Sequence, residues 1–219
     1  MRKIDIKNEL IHKNNKIALG VLYYKANVIM SSDKLEKKYD DTISVLKEKY
    51  VLESIIKNNH INSTRLAYTS FGKKPSRYRN AAEAMLRRIV KGNGLYRINN
   101  IVDINNIISI SSGYSIGSYC ANMLADNIIF KLAKKGEKYE GIGKESVNIE
   151  FLPTLYDDNG AFGNPTSDSK RAMVKNGEQE IISVIYSFDD NDDLEDTMLE
   201  FALMLKQYAG VLEVETWIV

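Results

Sequence analysis

The sequence has few of the residues that identify common metalloprotein and membrane-protein classes. It contains one cysteine, Cys120, which excludes an internal disulfide and a multi-cysteine metal site. Its two histidines, His12 and His60, have no sequence neighbour that would complete a metal-binding pair, and we expect both at the surface. The longest apolar runs, at 17–24 and 127–133, are far shorter than a membrane span. We therefore expect no metal site and no membrane segment.

Glycine-rich phosphate loops and nucleophile elbows are also absent, so the sequence predicts no cofactor. The first residues mix charges and contain no apolar signal core, which argues against secretion. Together with the single cysteine, this favours a reduced cytoplasmic protein. The composition, 44% hydrophobic and 27% charged, is that of a folded chain. Because no linker-like stretch interrupts it, one domain is expected over residues 1–219.

The charges are distributed unevenly, although the net charge is only +1. Residues 65–97 contain nine basic residues and one acid, Glu83, whereas residues 187–200 contain seven acids and no base. A phosphate backbone responds to such local potential rather than to net charge. The basic stretch is therefore a candidate phosphate-binding surface, with a solvated helix face as the alternative. The acidic stretch is interpreted as a helix start, where carboxylates interact favourably with the helix dipole.

Hydrophobic periodicity predicts helices first and then mainly strands. Helices are predicted where apolar residues recur at intervals of three and four: after the expected N-cap Asp33, at 63–71, at 79–91, after Asn99 and at 194–208. Strands are predicted where residues alternate or are β-branched: 16–30, 115–120, 127–133, 146–150, 154–157, 180–188 and 211–219. This order predicts an α/β fold of the α+β type, a mixed sandwich whose sheets are covered by helices.

Three polar segments are unusual for scaffolding alone. Residues 74–80 place cations and an aromatic ring at a helix N-terminus, where backbone N–H groups favour anions. Residues 101–106 interrupt an apolar helix with an aspartate and two asparagines, which either line a pocket or cap neighbouring loops. Residues 157–171 start with an Asn-Gly hairpin turn and continue with small hydroxylated residues. That segment is either a ligand-binding loop or a plain surface loop.

Taken in order, these segments resemble the B3/B4 domain family, to which the editing domain of the phenylalanyl-tRNA synthetase β subunit belongs. The likeness runs from about Arg79 to Tyr186. It rests on a series of motifs: Leu-Arg-Arg at 86–88, Val-Asp-x-Asn-Asn at 102–106, a glycine-led strand at 113–119, a strand with a Gly-Glu turn at 128–137, and the turn and polar loop at 157–171. Gly117 stands where the synthetase domain has a histidine, and the synthetase's acidic residue is missing near Pro165.

In the synthetase, this domain hydrolyses tyrosine wrongly attached to tRNA for phenylalanine. The resemblance therefore implies an aminoacyl-tRNA deacylase that acts in trans on a tRNA ester, although not a complete ligase. Because the histidine and the acid are replaced, tyrosine selectivity does not follow. A non-catalytic module that binds tRNA or an amino-acid-like ligand is the alternative, and a pocket for an unrelated metabolite is a third reading. Whether the chain forms a homo-oligomer stays open.

The resemblance also implies roles for individual residues. The ester end would be bound by Asn164, Ser167 and Asp168. The substrate pocket would be formed by Asp103, Asn106, Gly117, Tyr119 and Asp157. The tRNA phosphates would be contacted by Arg77, Arg79, Arg87, Arg88, Lys91 and Arg171.

Overall fold

The computed structural model describes residues 3–219, and within them the chain forms six α-helices and ten β-strands. The helices are α1 (Asn8–Ile11), α2 (Asp33–Lys49), α3 (Asn59–Ser70), α4 (Ala81–Val90), α5 (Asn100–Ser112) and α6 (Leu194–Ala209). The strands are β1 (Lys3–Ile6), β2 (Ala18–Val28), β3 (Ser115–Cys120), β4 (Asn127–Leu132), β5 (Lys138–Gly141), β6 (Lys144–Asn148), β7 (Pro153–Asp157), β8 (Gly160–Gly163), β9 (Gly177–Ser187) and β10 (Val214–Ile218).

A four-stranded antiparallel sheet, in the order β10-β2-β9-β3, lies at the centre of the fold. Its two inner strands, β2 and β9, pair along their full length of 11 residues. Successive side chains of a strand point to opposite faces, so β9 contributes to two hydrophobic clusters. Ile181 and Ile185 enter one cluster, while Ile182, Val184 and Tyr186 enter the other. This strand is therefore covered on both faces.

Helices cover the first face of this central sheet. Inward side chains such as Leu35 of α2, Leu86 of α4, Ile104 of α5 and Phe201 of α6 are fully buried in one cluster with Ile185. Full burial of an aliphatic or aromatic side chain contributes roughly 1.5–3 kcal/mol, so this cluster is a main source of stability. It fixes the positions of α4 and α5 relative to β3.

A second sheet, in the order β1-β4-β7-β8, packs against the other face. β1 pairs parallel with β4, and the remaining pairs are antiparallel. Tyr119 of β3 meets Phe130, Leu155 and Phe162 of the second sheet in a buried cluster, to which α3 contributes Tyr68. The predicted mixed α/β sandwich, with helices over a sheet, is confirmed.

A short hairpin, β5–β6, stands apart from both sheets as a two-stranded ribbon. Its turn contains Gly143 at φ 68°, and the glycine pair Gly141 and Gly143 in the sequence is typical of such a turn. The hairpin lies against the loop that follows β8, because Gly141 bridges to Ser169 and the Ile142 N–H donates to the Asp168 carbonyl at 3.2 Å. It therefore covers one side of the polar loop.

Most predicted elements are present, with their ends shifted by a few residues. The predicted N-cap of α2 was wrong: the Ser32 hydroxyl, not Asp33, accepts a hydrogen bond from the Leu35 N–H. The helix α3 begins at Asn59 because Asn58 caps it. Four elements escaped prediction, α1, β1, β5 and β8, since each has only four residues and shows no periodicity.

The longest helix of the described chain, α2, has 17 residues and many charged side chains. Among residues 3–219 no helix combines the length and the apolar character needed to cross a membrane. The expectation of one domain over the whole sequence stays a prediction.

Candidate functional site

The loop that follows β8 has a fixed shape because Asn164 ties it together. Its Oδ1 accepts hydrogen bonds from the backbone N–H groups of Thr166, at 2.8 Å, and Ser167, at 3.1 Å. This is the local turn that asparagine favours. Its Nδ2 lies 2.6 Å from the Tyr139 hydroxyl, and that hydroxyl donates to the Ser167 carbonyl. Asn164 is only 3% exposed, so it shapes the loop from inside.

Asp168 ends this loop with a carboxyl group in an apolar setting. Burial raises its pKa to about 7, although hydrogen bonds from the Tyr119 hydroxyl and the Asn164 backbone favour the charged form. The Tyr119 hydroxyl donates to Oδ1 at 2.7 Å. A phenol has one proton to donate, so the Tyr186 hydroxyl, 2.7 Å from that of Tyr119, is the donor in the second bond. Asp168 thus ends a buried chain of two phenols.

Tyr119 occupies a slot between two glycines. A Cβ atom on either Gly117 or Gly163 would overlap the Tyr119 phenol. The edge of the ring meets Phe162, with centroids 5.0 Å apart. Gly117 and Tyr119, both predicted for the pocket, therefore lie together beside Asp168, but Tyr119 is fully buried.

An open groove of about 680 Å³ lies beside this loop. Tyr139, whose hydroxyl supports the loop, also lines the groove. Other lining residues are Met123, Tyr156, Ser169, Lys170, Arg171 and Met173. The lining also includes Glu137, Glu140, Lys138 and Lys175, so charges of both signs stand beside the aromatic and apolar side chains, which suits a small amphipathic ligand.

Asp157 and Arg171, assigned by the resemblance to the pocket and to tRNA, bind each other. Arg171 Nη2 lies 2.8 Å from Oδ1 of Asp157, and Nη1 lies 3.2 Å from Oδ2. Arg171 also donates to the Gly160 carbonyl at 2.9 Å. Burial alone would raise the pKa of Asp157, but the hydrogen bond from Arg171 lowers it below the usual value. Most of the bonding capacity of this guanidinium is used within the fold.

Asp103 and Asn106 lie on the other side of the central sheet from Asp168. Asp103 is fully buried, and its carboxylate accepts from the Ser31 hydroxyl at 2.7 Å and from the Ile98 N–H at 3.0 Å. Burial raises its pKa. Asn105, adjacent to Asn106 on α5, accepts from the Ser118 hydroxyl at 2.9 Å, on the helix-facing side of β3. The structure does not bring these two predicted pocket residues to the loop.

Three arginines surround one carboxylate at the surface between α3 and α4. Glu83 is fully buried, and Arg87 Nε lies 2.8 Å from Oε1. Arg65 Nη1 lies 2.9 Å from Oε2, and Arg79 Nε lies 3.6 Å from Oε1. Three cations and one anion leave two positive charges. The i,i+4 spacing of Glu83 and Arg87 predicts an ion pair on the exposed side of the helix. The pair forms, but the exposed placement is wrong, since the arginines compensate an inward carboxylate.

This arginine cluster (Arg65, Arg79 and Arg87) adjoins the polar loop. The Ala81 N–H at the start of α4 donates to the Pro165 carbonyl at 2.8 Å. The Tyr68 hydroxyl on α3 lies 2.8 Å from that of Thr166. Both helices that carry the arginines thus contact the loop directly. Of the other predicted phosphate ligands, Arg77 and Lys91 are exposed.

A charged cluster that sequence analysis missed surrounds His60. Its Nδ1 lies 2.6 Å from Asp189 Oδ2, its Nε2 lies 3.0 Å from Asp193 Oδ2, and its ring stacks on Tyr114 with centroids 3.6 Å apart. Burial alone would lower the pKa of His60, but the two carboxylates raise it above the ordinary value. Of the two histidines expected at the surface, His12 is exposed, whereas His60 is half-buried within this cluster. This cluster of His60, Asp189 and Asp193, called the His60 clamp below, joins α3 to the acidic start of α6. Its residues are too distant in sequence to form a motif.

Within the described residues, no group of three or more histidine, cysteine, aspartate or glutamate side chains is arranged to hold a metal ion. The predicted catalytic residues Asn164, Ser167 and Asp168 lie on one loop, as their spacing requires. Their roles stay predictions.

Comparison with known proteins identifies the family. The model of the B3/4 domain matches residues 63–195, which is more than half of the chain and extends beyond the likeness seen in the sequence motifs. No curated protein matches. Among solved structures, the chain is similar to the crystal structure of an N-terminal fragment of the phenylalanyl-tRNA synthetase β subunit from Pyrococcus horikoshii, with 13% identity and a TM-score of 0.48. That alignment covers 97% of this chain and 50% of the fragment, so the chain spans about half the fragment's length. The chain belongs to the B3/4 domain family.

Proposed function

We propose that this B3/4 domain binds the acylated 3′ end of a tRNA and hydrolyses the aminoacyl ester in trans. The observation that carries the proposal is the position of Asp168, a half-buried residue whose poorly solvated carboxyl has a pKa of about 7, on a loop that adjoins an open groove and the arginine cluster. A group with that pKa exchanges protons at neutral pH, where ester hydrolysis needs a base. Family membership supports the same assignment.

Asp168 is the proposed general base. A water molecule that reaches the loop beside Asp168 adds to the ester carbonyl carbon and gives its proton to the carboxylate. The tetrahedral intermediate then collapses, the bond from carbon to the ribose oxygen breaks, and Asp168 returns the proton to that oxygen. The products are the free amino acid and the uncharged tRNA. Asn164 holds the loop in shape, and Ser167 contributes a hydroxyl at the ester. An activated ester requires little more than a positioned water.

The arginine cluster is the proposed phosphate site. Its surplus charge lies at the N-terminal end of α4, against the loop. Arginine binds phosphate through two parallel hydrogen bonds, and partial burial orients these side chains before the ligand arrives. Such binding releases counterions, so we expect the affinity for tRNA to fall steeply with salt.

A non-catalytic binding module is the second candidate, and one observation favours it. Both the Tyr119 hydroxyl and the Asn164 backbone already donate to the Asp168 carboxyl. A carboxylate held in this way is less available to a water molecule. Under this candidate, the loop and the groove bind the aminoacyl end without turnover.

The two candidates are separated by release of amino acid from a panel of correctly and incorrectly charged tRNAs. We expect release by the wild type, with a rate that rises to about pH 7 and then levels off as Asp168 ionises. Asp168→Asn should slow the catalysed reaction by at least about 100-fold. The exposed Asp41→Asn on α2 is the matched control and should not change the rate.

No release from any charged tRNA, with protein in excess, would exclude hydrolysis and leave the binding module. Equal rates for the wild type and Asp168→Asn would instead remove Asp168 from the mechanism while keeping the activity.

A further inference from the structure

An exposed aromatic ring, Tyr96, stands beyond the C-terminal end of α4 and has no role in the fold's core. It is 71% exposed, more than Ile98, the other exposed apolar side chain of this loop, at 50%. The Arg88 guanidinium lies over one side of the ring, 4.9 Å from its centroid. With an arginine over one side and most of the ring exposed, the other side is accessible to a planar ligand.

Arg88 is itself fixed in place. Its Nε donates to the Gly94 carbonyl at 3.2 Å, and its Nη2 to the Asn93 carbonyl at 3.5 Å. Gly94 has φ 58°, a left-handed conformation that lets the loop turn back on the helix. The ring and the guanidinium therefore form a pre-ordered stack, which costs less entropy on binding than two free side chains would.

The exposed side of α4 connects this stack to the polar loop. Ala84 is exposed and Ala81 is half-buried, so the outward side of the first turns of the helix carries small side chains. Arg87 and Arg88 flank that ridge, and the exposed Lys91 follows it. A ten-residue helix is about 15 Å long, which a strand of a few nucleotides can span. Cations beside a smooth ridge suit a phosphate backbone rather than an acidic peptide of irregular shape.

We propose that Tyr96, held by Arg88, is a stacking platform for a nucleobase of a single-stranded RNA that lies along α4 towards the polar loop. This inference rests on the proposed function, which sets the direction of the RNA along α4 towards the polar loop. The ligand class is a single-stranded nucleic acid, since a base within a duplex does not expose its face. Stacking on an aromatic ring tolerates any base, so the platform contributes affinity and not sequence recognition. Arg88 acts by positioning the ring.

The test uses a short single-stranded RNA that carries no amino acid. One of its bases is 2-aminopurine, whose fluorescence is quenched by stacking. For the full chain we expect quenching on binding, an affinity about tenfold weaker for Tyr96→Ala, and nearly unchanged binding for Tyr96→Phe, which keeps the ring. Arg88→Lys keeps the charge but loses the planar contact, and should reduce quenching. Leu199→Ala, which shortens another exposed apolar side chain, on α6, is the control and should bind as the wild type does.

Equal affinity and quenching for Tyr96→Ala and the wild type would overturn the platform. Binding of the RNA without quenching at any labelled position would overturn it as well. Because this RNA has no ester, the result is independent of hydrolysis. If Tyr96 contributes to RNA binding but no charged tRNA is hydrolysed, only the deacylase proposal is contradicted. If Tyr96→Ala and the wild type release amino acid at the same rate at limiting tRNA, only the platform proposal is contradicted.

Discussion

Asp168 illustrates how a single side chain acquires unusual chemistry from its surroundings. Its carboxyl is buried without a cation among its hydrogen-bond partners, which are a phenol and a backbone amide. Burial raises the pKa of this group to about 7 because the charged form is poorly solvated. The sequence indicates Asp168 as a candidate because it lies in a polar loop. It does not indicate which side chains surround the carboxyl. That environment depends on Tyr119 and Tyr186, which belong to two other strands.

The raised pKa predicts how stability depends on pH at this residue. The folded pKa lies above the unfolded value, so the contribution of Asp168 is full below about pH 4 and is lost as the pH rises to about 7. Between these limits the free energy of unfolding should fall by at most about 4 kcal/mol from this group. Asp168→Asn should remove that part of the pH dependence. Urea denaturation at several pH values measures it.

Asp41→Asn, which alters an exposed carboxylate, should keep the wild-type profile in the same experiment. A variant Asp168→Asn whose unfolding free energy declines with pH as steeply as the wild type's would show that Asp168 is already ionised at low pH.

At the scale of elements, α4 combines a predictable helix with an unpredictable charge arrangement. Its stripe of Ala82, Leu86 and Ile89 is evident in the sequence and is buried as expected. The direction of Glu83 is not evident, because its side chain is turned inward by Arg65 from α3, a residue 18 positions earlier. Local periodicity identifies which helix forms. Pairing between helices decides which of its polar residues are buried.

We predict that Glu83→Gln destabilises the fold by about 2–3 kcal/mol. The change leaves three arginines together without their anion, and breaking a buried ion pair costs about 3–5 kcal/mol before allowance for the partial exposure of the arginines. Chemical denaturation checks the value. Glu48→Gln on the exposed side of α2 is the matched control, and a loss no larger than the control's would show that the cluster adds nothing to stability.

At the scale of the whole molecule, distant segments are joined by polar contacts as well as by the two hydrophobic clusters. The clamp of His60 with Asp189 and Asp193 connects α3 to the start of α6. Sequence analysis predicted the order of strands and helices, and the sandwich follows from it. The division of the strands between two sheets was not predicted, because it depends on pairings such as that of β1 with β4, which are more than a hundred residues apart. Such pairings have no local signature.

The His60 clamp predicts a second pH dependence of stability, in a different pH range from that of Asp168. The pKa of His60 is raised in the folded chain, so its contribution is full below about pH 6.5 and is lost as the pH rises through the folded value. Burial alone would raise the pKa of Asp189, but the bond to His60 lowers it to about 2, so that contribution is lost as the pH falls below about 4. His60→Gln should abolish the decline above pH 6.5, measured as the thermal midpoint against pH. An unchanged decline would locate its source elsewhere.

The slot that holds Tyr119 has a consequence for the history of the family. Because a Cβ atom at position 117 or 163 would occupy the same space as the phenol, neither glycine can gain a side chain unless Tyr119 moves or is replaced. A relative with a histidine or any other large residue at position 117 needs a different side chain, or a different rotamer, at position 119. In an alignment of many relatives, we expect these positions to covary, with a large residue at 117 excluding tyrosine at 119.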